Sequence, residues 1–320
     1  MPIPSDPVIC FAHVAYGLGD EFAARGTPFR AFEVRTFDAL QERIGEADVL
    51  VVSGLWRNEL LERAARLRLI QSIGAGTDQF PRDLLRQRNI RLASAQGVNE
   101  RAVSEHAMAL ILALTRQLHF ARDNQARHQW RGMISDRSRR EEELGGKTLL
   151  IVGLGRIGSR LAALARAFGM RVIAVKRHPE PSSVAEAVVG ADRLGDVLPE
   201  ADVVALTCPL TPETEGLIGA AELAAMKPAA HLVNVARGRV VVEDALLAAL
   251  RDGRIAGAGL DCFHEEPLPA SSPFWDFANV LVTPHAAGET RRYESNVVDV
   301  LLENLARLSA GRTELLNQVV

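Results

Sequence analysis

Thr148-Leu-Leu-Ile-Val-Gly-Leu-Gly-Arg-Ile-Gly158 is the stretch on which the fold turns. Thr148–Val152 are apolar or β-prone and spell a buried strand. Glycines follow at 153, 155 and 158, and Ile157, Leu161, Leu164, Ala165 and Phe168 then recur at helical spacing. Strand, Gly-x-Gly-x-x-Gly and helix in this order are what a dinucleotide fingerprint needs. Gly153 permits a tight turn, Gly155 lets the backbone approach a pyrophosphate, and Gly158 lets the helix pack closely on the strand. Free N–H groups and a partial positive charge at the helix N-terminus suit phosphates. Flavin and other nucleotide folds share the glycine pattern, so the flanking strand and helix carry much of this reading.

The chain has 320 residues, room for two domains, and 48% of them are hydrophobic. The net charge of −3 and the lack of a basic block argue against nucleic-acid and membrane-surface partners. The opening Met1-Pro-Ile-Pro-Ser-Asp6 lacks a basic n-region followed by an apolar core, so a secretory leader is not expected, and no apolar run reaches membrane-spanning length. Cys10, Cys208 and Cys262 lie far apart, which fits a reducing cytoplasm and no structural metal.

On either side of the fingerprint, strands and helices alternate. The first part carries strand candidates at 8–13, 28–34, 48–53, 69–73 and 90–92, with helical patterns at 59–67 and 81–87. Asn99 is placed to cap a long helix whose stripe is Val103, Ala107, Leu110, Ile111 and Leu114, and the pattern runs on through His119 towards Trp130. Past the fingerprint, strands are expected at 171–175, 202–206, 231–235, 255–260 and 280–282, and helices at 220–226 and 243–251. Val297, Val300, Leu301 and Leu305 place a last helix that packs back on the first domain. The expectation is an α/β chain of two doubly wound parallel-sheet domains. A Rossmann-type dinucleotide-binding domain spans 99–287. A smaller, flavodoxin-like substrate domain is discontinuous, 1–98 with 288–320.

The cofactor reading turns on the end of the second strand of the nucleotide domain. An acid there, about twenty residues past the glycines, would hold the ribose 2′-OH. Val175-Lys-Arg-His178 has none. Lys176 and Arg177 would pair with a 2′-phosphate, which favours NADP(H) while leaving NAD(H) possible. A solvated basic strand end is the bland alternative.

Three polar clusters fall at strand exits. In Asn234-Val-Ala-Arg-Gly-Arg239, Arg237 can clamp a carboxylate and polarise a neighbouring carbonyl. Gly259-Leu-Asp-Cys-Phe-His-Glu-Glu-Pro267 supplies Asp261, Glu265 and Glu266, and Thr283-Pro-His-Ala-Ala-Gly288 supplies His285. Reducing a ketone by hydride requires a proton donor for the developing alkoxide, and a histidine beside a carboxylate suits that role. Spacing alone does not pair Glu266 with His285. Gly74-Ala-Gly-Thr-Asp78, at an earlier strand exit, could expose the Gly74 and Gly76 amides to a small anion, though by itself it reads more simply as an ordinary turn.

These motifs together resemble the D-isomer-specific 2-hydroxyacid dehydrogenases over nearly the whole length. The resemblance rests on the glycine stretch, Cys208-Pro-Leu-Thr-Pro-Glu-Thr214, Met226-Lys-Pro228, the three clusters above, Gly74–Asp78 and Ser104-Glu-His106. It implies the catalytic set Arg237, Glu266 and His285, with Glu266 chosen over Glu265 because it directly precedes Pro267. It also implies that amides around Ala75 and Gly76 bind a substrate carboxylate, replacing the ordinary-turn reading. Arg156 and Ile157 would meet the pyrophosphate, Cys208, Pro209, Val235 and Ala236 would line the cofactor cleft, and Asp261 would lie near the nicotinamide carboxamide. A homodimer is implied as well. Lys176 stands where NAD-dependent members usually have Asp, and Cys262 and His264 replace what are more often Val and Glu.

The expected protein is therefore a cytoplasmic NADP(H)-dependent reductase of small 2-oxo acids, of the glyoxylate or hydroxypyruvate kind, to D-2-hydroxy acids. The alternatives are a formate- or phosphite-type dehydrogenase and a non-catalytic dinucleotide-sensing corepressor. Trp56, Arg57, Tyr293 and a partner subunit's Trp130 are the candidates for shaping the substrate pocket.

Overall fold

The computed structural model describes residue 4 and residues 6–320. The chain divides into two compact units, 1–99 with 289–320, and 100–288.

In the first unit β1 (Ile9–Ala12), β2 (Ala31–Val34), β3 (Val49–Val52), β4 (Leu69–Ser72) and β5 (Arg91–Ala93) form one sheet ordered β2-β1-β3-β4-β5. Every pairing is parallel, and the order is the flavodoxin-like one, which reverses between β1 and β3. The strands read as near-continuous apolar runs because helices cover both faces. Ile9, Phe11, Val49, Val51 and Leu69 pack under the helix Tyr293–Ser309, through Val297, Val298, Leu301 and Leu305. Cys10, Leu50, Val52, Ile70 and Leu92 face the other layer.

The second unit holds β6 (Thr148–Val152), β7 (Arg171–Val175), β8 (Ala187–Val189), β9 (Val203–Leu206), β10 (His231–Asn234), β11 (Gly257–Leu260) and β12 (Val280–Val282). Their order is β12-β11-β10-β9-β6-β7-β8, all parallel, and it reverses between β6 and β9. This is a Rossmann-type sheet with one strand added beyond the usual six. Leu149 and Ile151 face the helices Glu100–Thr115 and Arg156–Ala167, while Leu150 and Val152 face the opposite core. Two parallel-sheet domains, one Rossmann-type and one smaller, are thus the architecture.

Several local expectations change. Residues 59–67 form only a short 3-10 turn, Asn58–Glu62, which is enough to bury Leu60 and Leu61. Asn99 does not cap its helix, and its Oδ1 is buried without a partner. The long helix ends at Thr115, and Gln117, at φ 53°, turns the chain before the second helix, Leu118–Ala126. β8 had no sequence expectation. No helix among the described residues is long and apolar enough to cross a membrane.

Candidate active site

The glycine stretch occupies the switch point of the larger sheet, where open α/β sheets bind ligands beyond the strand ends. Gly153 sits at φ +105°, and a Cβ there would stand 2.6 Å from the Cys208 backbone nitrogen on the exit of β9. A Cβ on Gly158 would overlap the Gly153 carbonyl oxygen and lie 2.9 Å from Thr207 Oγ1. The Thr207 hydroxyl ties the two exits together by donating to the Gly153 carbonyl at 2.8 Å. At Gly155 an added Cβ meets nothing within 4 Å, and the residue is exposed just ahead of the helix beginning at Arg156. Two glycines thus hold the turn closed and the third leaves its outer side open, as a pyrophosphate on a helix N-terminus requires. The residues present fit a dinucleotide. Gly155→Ala should leave the melting temperature unchanged and weaken dinucleotide binding by about tenfold, the worth of one charge-assisted hydrogen bond. Calorimetric titration beside a thermal melt checks both.

Lys176 and Arg177 stand at the exit of β7. The Lys176 amide donates to the Val189 carbonyl of β8, and its ammonium lies 3.7 Å from the exposed Glu180 carboxylate. Arg177 is exposed and lies near the loop after β9. The Thr211 hydroxyl, the Glu213 backbone and the Arg177 charge hold the Glu213 carboxyl below its ordinary value. Cys208 is buried, which pushes its thiol up to about 11, whereas Pro209 is exposed.

The three polar clusters converge within this unit. Asn234 is 1% exposed; its Nδ2 donates to the Arg237 carbonyl and its Oδ1 accepts from the Ala236 amide, fixing the turn after β10. The Arg237 guanidinium donates to the Ala236 carbonyl at 2.7 Å. A Cβ on Gly238 would overlap the Phe263 carbonyl group, so this turn lies directly on the chain leading from β11 to Glu266. Glu266 accepts from the Phe263 amide through Oε1, at 2.9 Å. Its Oε2 lies 2.7 Å from His285 Nδ1. An ionised carboxylate only accepts, so Nδ1 carries the proton and Nε2 is left as the outward reactive atom. Burial would raise the Glu266 carboxyl, but the His285 hydrogen bond, the Phe263 amide and the His285 and Arg237 charges together hold it below its ordinary value. The pair is partly open, with side-chain exposures of 42% for His285 and 37% for Glu266. Glu266 is thus bonded to an imidazole and feels the charge of the Arg237 guanidinium, a grouping that can deliver a proton beside a bound anion.

Asp261 has a role that sequence spacing did not show. It is 2% exposed, and its carboxylate accepts from the Thr283 hydroxyl and from the Ala286 and Ala287 amides. It therefore fastens the turn that carries His285. Cys262 is a buried thiol shifted upward by burial, and His264 is turned to the Val241 carbonyl.

In the first unit Ile73, Gly74 and Ala75 form a bend past β4, with Gly76 directly after it. The Gly74 carbonyl accepts from the Ala95 amide, and the Tyr293 hydroxyl donates to the Ile73 carbonyl at 2.6 Å. Among the described residues no protein acceptor takes the Ala75 or Gly76 amide. Of the pocket candidates, Trp56 is a core residue, 3% exposed against Phe80 with its Nε1 donating to Asn58. Arg57 donates to the Gly54 and Trp56 carbonyls, and Tyr293 is buried behind the bend. Trp130 is fully exposed.

Residues 108–287 match the family described as D-isomer specific 2-hydroxyacid dehydrogenase, NAD binding domain. The chain belongs to the D-isomer-specific 2-hydroxyacid dehydrogenases. A glyoxylate reductase of Aeropyrum pernix is 38% identical over 285 residues, 86% of this chain and 84% of that protein. A D-3-phosphoglycerate dehydrogenase of Methanocaldococcus jannaschii is 36% identical over 89% of the chain, which spans 54% of that protein. Among solved structures, an NADPH-dependent glyoxylate/hydroxypyruvate reductase from Sinorhizobium meliloti, in complex with NADP and malonate, superposes with a TM-score of 0.83 at 26% identity. The match covers 98% of this chain and 97% of that one. As a member of this dehydrogenase family the protein is an NAD(P)-dependent oxidoreductase built to transfer hydride.

Proposed function

We propose that this dehydrogenase is an NADP(H)-dependent reductase of small 2-oxo acids, of the glyoxylate or hydroxypyruvate kind. The hydrogen-bonded His285–Glu266 pair, with Arg237 on the adjoining turn, is the observation that carries the reading. Arg237 takes the substrate carboxylate and polarises the neighbouring carbonyl. His285 Nε2 gives the proton to the carbonyl oxygen, and Glu266 orients the ring and favours its charged form. The amides of Ala75 and Gly76, which no protein acceptor takes among the described residues, are further donors for a substrate carboxylate. When bound, the reduced nicotinamide supplies the hydride. Gly153, Gly155, Arg156, Ile157 and Gly158 hold the pyrophosphate, and Cys208, Pro209, Val235, Ala236 and Asp261 border the remainder of the cofactor. Lys176 and Arg177 take the 2′-phosphate, and the exposed Leu118, Phe120, Trp130 and Met133 are where a second copy packs in a homodimer.

A panel of 2-oxo acids with NADPH, with formate and phosphite tested in the oxidative direction, checks the substrate class. Absence of 2-oxo acid reduction contradicts it. The kcat/KM ratio of NADPH to NADH should exceed one, and Lys176→Asp should move it towards NADH by roughly ten- to a hundredfold, the range for losing a hydrogen-bonded charge. A wild-type ratio below one refutes the cofactor preference.

A further inference from the structure

His106, on the helix Glu100–Thr115, reaches the same turn from the other side. Its Nε2 lies 3.0 Å from Thr283 Oγ1 and 3.6 Å from Asp261 Oδ1. The Thr283 hydroxyl is 2.6 Å from Asp261 Oδ1. A buried carboxylate only accepts, so the threonine proton points at Asp261. Thr283 Oγ1 then has only lone pairs left for His106, and His106 Nε2 must carry a proton. The bonds run in one direction, from imidazole to hydroxyl to carboxylate, and such chains strengthen each member.

The far end of this chain holds the turn on both sides of His285. Asp261 takes the Thr283 hydroxyl before it and the Ala286 and Ala287 amides after it, each at 3.0 Å. The Thr283 amide is fixed to the Leu260 carbonyl, and the His285 amide to the Thr283 carbonyl. His285 itself sits at φ 54°, in the left-handed region that is uncommon outside glycine. The hydrogen bonds to Asp261 flank it on both sides.

We propose that His106 is a positioning residue for His285, acting through Thr283 and Asp261 to fix the turn from which the imidazole reaches Glu266. This rests on the assignment of His285 as the proton donor. The test compares His106→Leu, His106→Gln and Thr283→Val. Steady-state kinetics with hydroxypyruvate and NADPH are read beside the His285 imidazole resonances of histidine-labelled protein. His106→Leu should lower kcat by roughly three- to tenfold, the effect of one lost hydrogen bond, with the KM for NADPH unchanged. Thr283→Val should match it, and both should shift or broaden the His285 resonance. His106→Gln, whose amide can still donate to Thr283, should restore most of the rate. A His285 resonance and kcat unaltered in His106→Leu and Thr283→Val overturn the proposal, as does a glutamine variant that falls as far as the leucine one. If wild-type protein reduces no 2-oxo acid, the functional reading fails and the resonance comparison alone still decides the positioning.

Discussion

Replacing His285 with alanine is expected to lower kcat for 2-oxo acid reduction by about 10²–10⁴-fold, the usual worth of a positioned general acid. Dinucleotide affinity should not change, because the glycine turn at the β6–β9 switch point lies on other elements. Single-turnover rates and a fluorescence titration of NADPH separate the two effects. The partner carboxylate sets the acid limit of the arrangement. The Glu266 carboxyl is lower in the folded protein than in the unfolded chain. Its contribution to stability is therefore fully present above the unfolded value, near ~4.3, and is lost as pH falls through the lowered folded value. The pair should consequently stay intact into mildly acidic solution.

Gly238→Ala is expected to be the most damaging single-methyl change near the site. The added carbon would overlap the Phe263 carbonyl group and the His264 amide, which are backbone atoms and cannot swing aside. Relief requires the Arg237 turn to lift from the chain that leads to Glu266. We expect a stability loss on the order of 3 kcal/mol, read as a lowered urea midpoint, with kcat falling as the two turns separate. A wild-type midpoint would show that the two turns are not packed as described. The contrast is Gly155→Ala, where the carbon enters open space and the fold is left alone.

The two sheets were legible in the sequence because their strands are short apolar runs between turn signals, and the glycine stretch marked the dinucleotide turn, while the strand order around it came from the fold. What escaped was written in contacts rather than in patterns. β8 is three half-buried residues after a polar, proline-containing loop, and its identity as a strand comes from pairing with β7. The break at Gln117 carries neither glycine nor proline, the usual markers of a left-handed residue. Trp56 is one of several pocket candidates in the sequence, which does not say which of them faces a pocket, and Phe80 and Asn58 enclose it. Arg237, Glu265, Glu266 and His285 stand out by residue type at strand exits, and only the family resemblance prefers Glu266 to Glu265. The bracing by Asn234 and Asp261 does not stand out, since buried polar side chains declare themselves only through their partners. His106 and Thr283 are 177 positions apart, and only the packed helix brings them together.

The proposed reduction requires that hydride pass from a reduced nicotinamide to C2 of a 2-oxo acid. NADPH carrying deuterium in both C4 positions of the nicotinamide is incubated with hydroxypyruvate or glyoxylate, and the product is followed by NMR. Deuterium is expected at C2 of the 2-hydroxy acid, at a rate that collapses in His285→Ala. A protein that binds the dinucleotide but delivers no deuterium to any 2-oxo acid would contradict the proposed reduction.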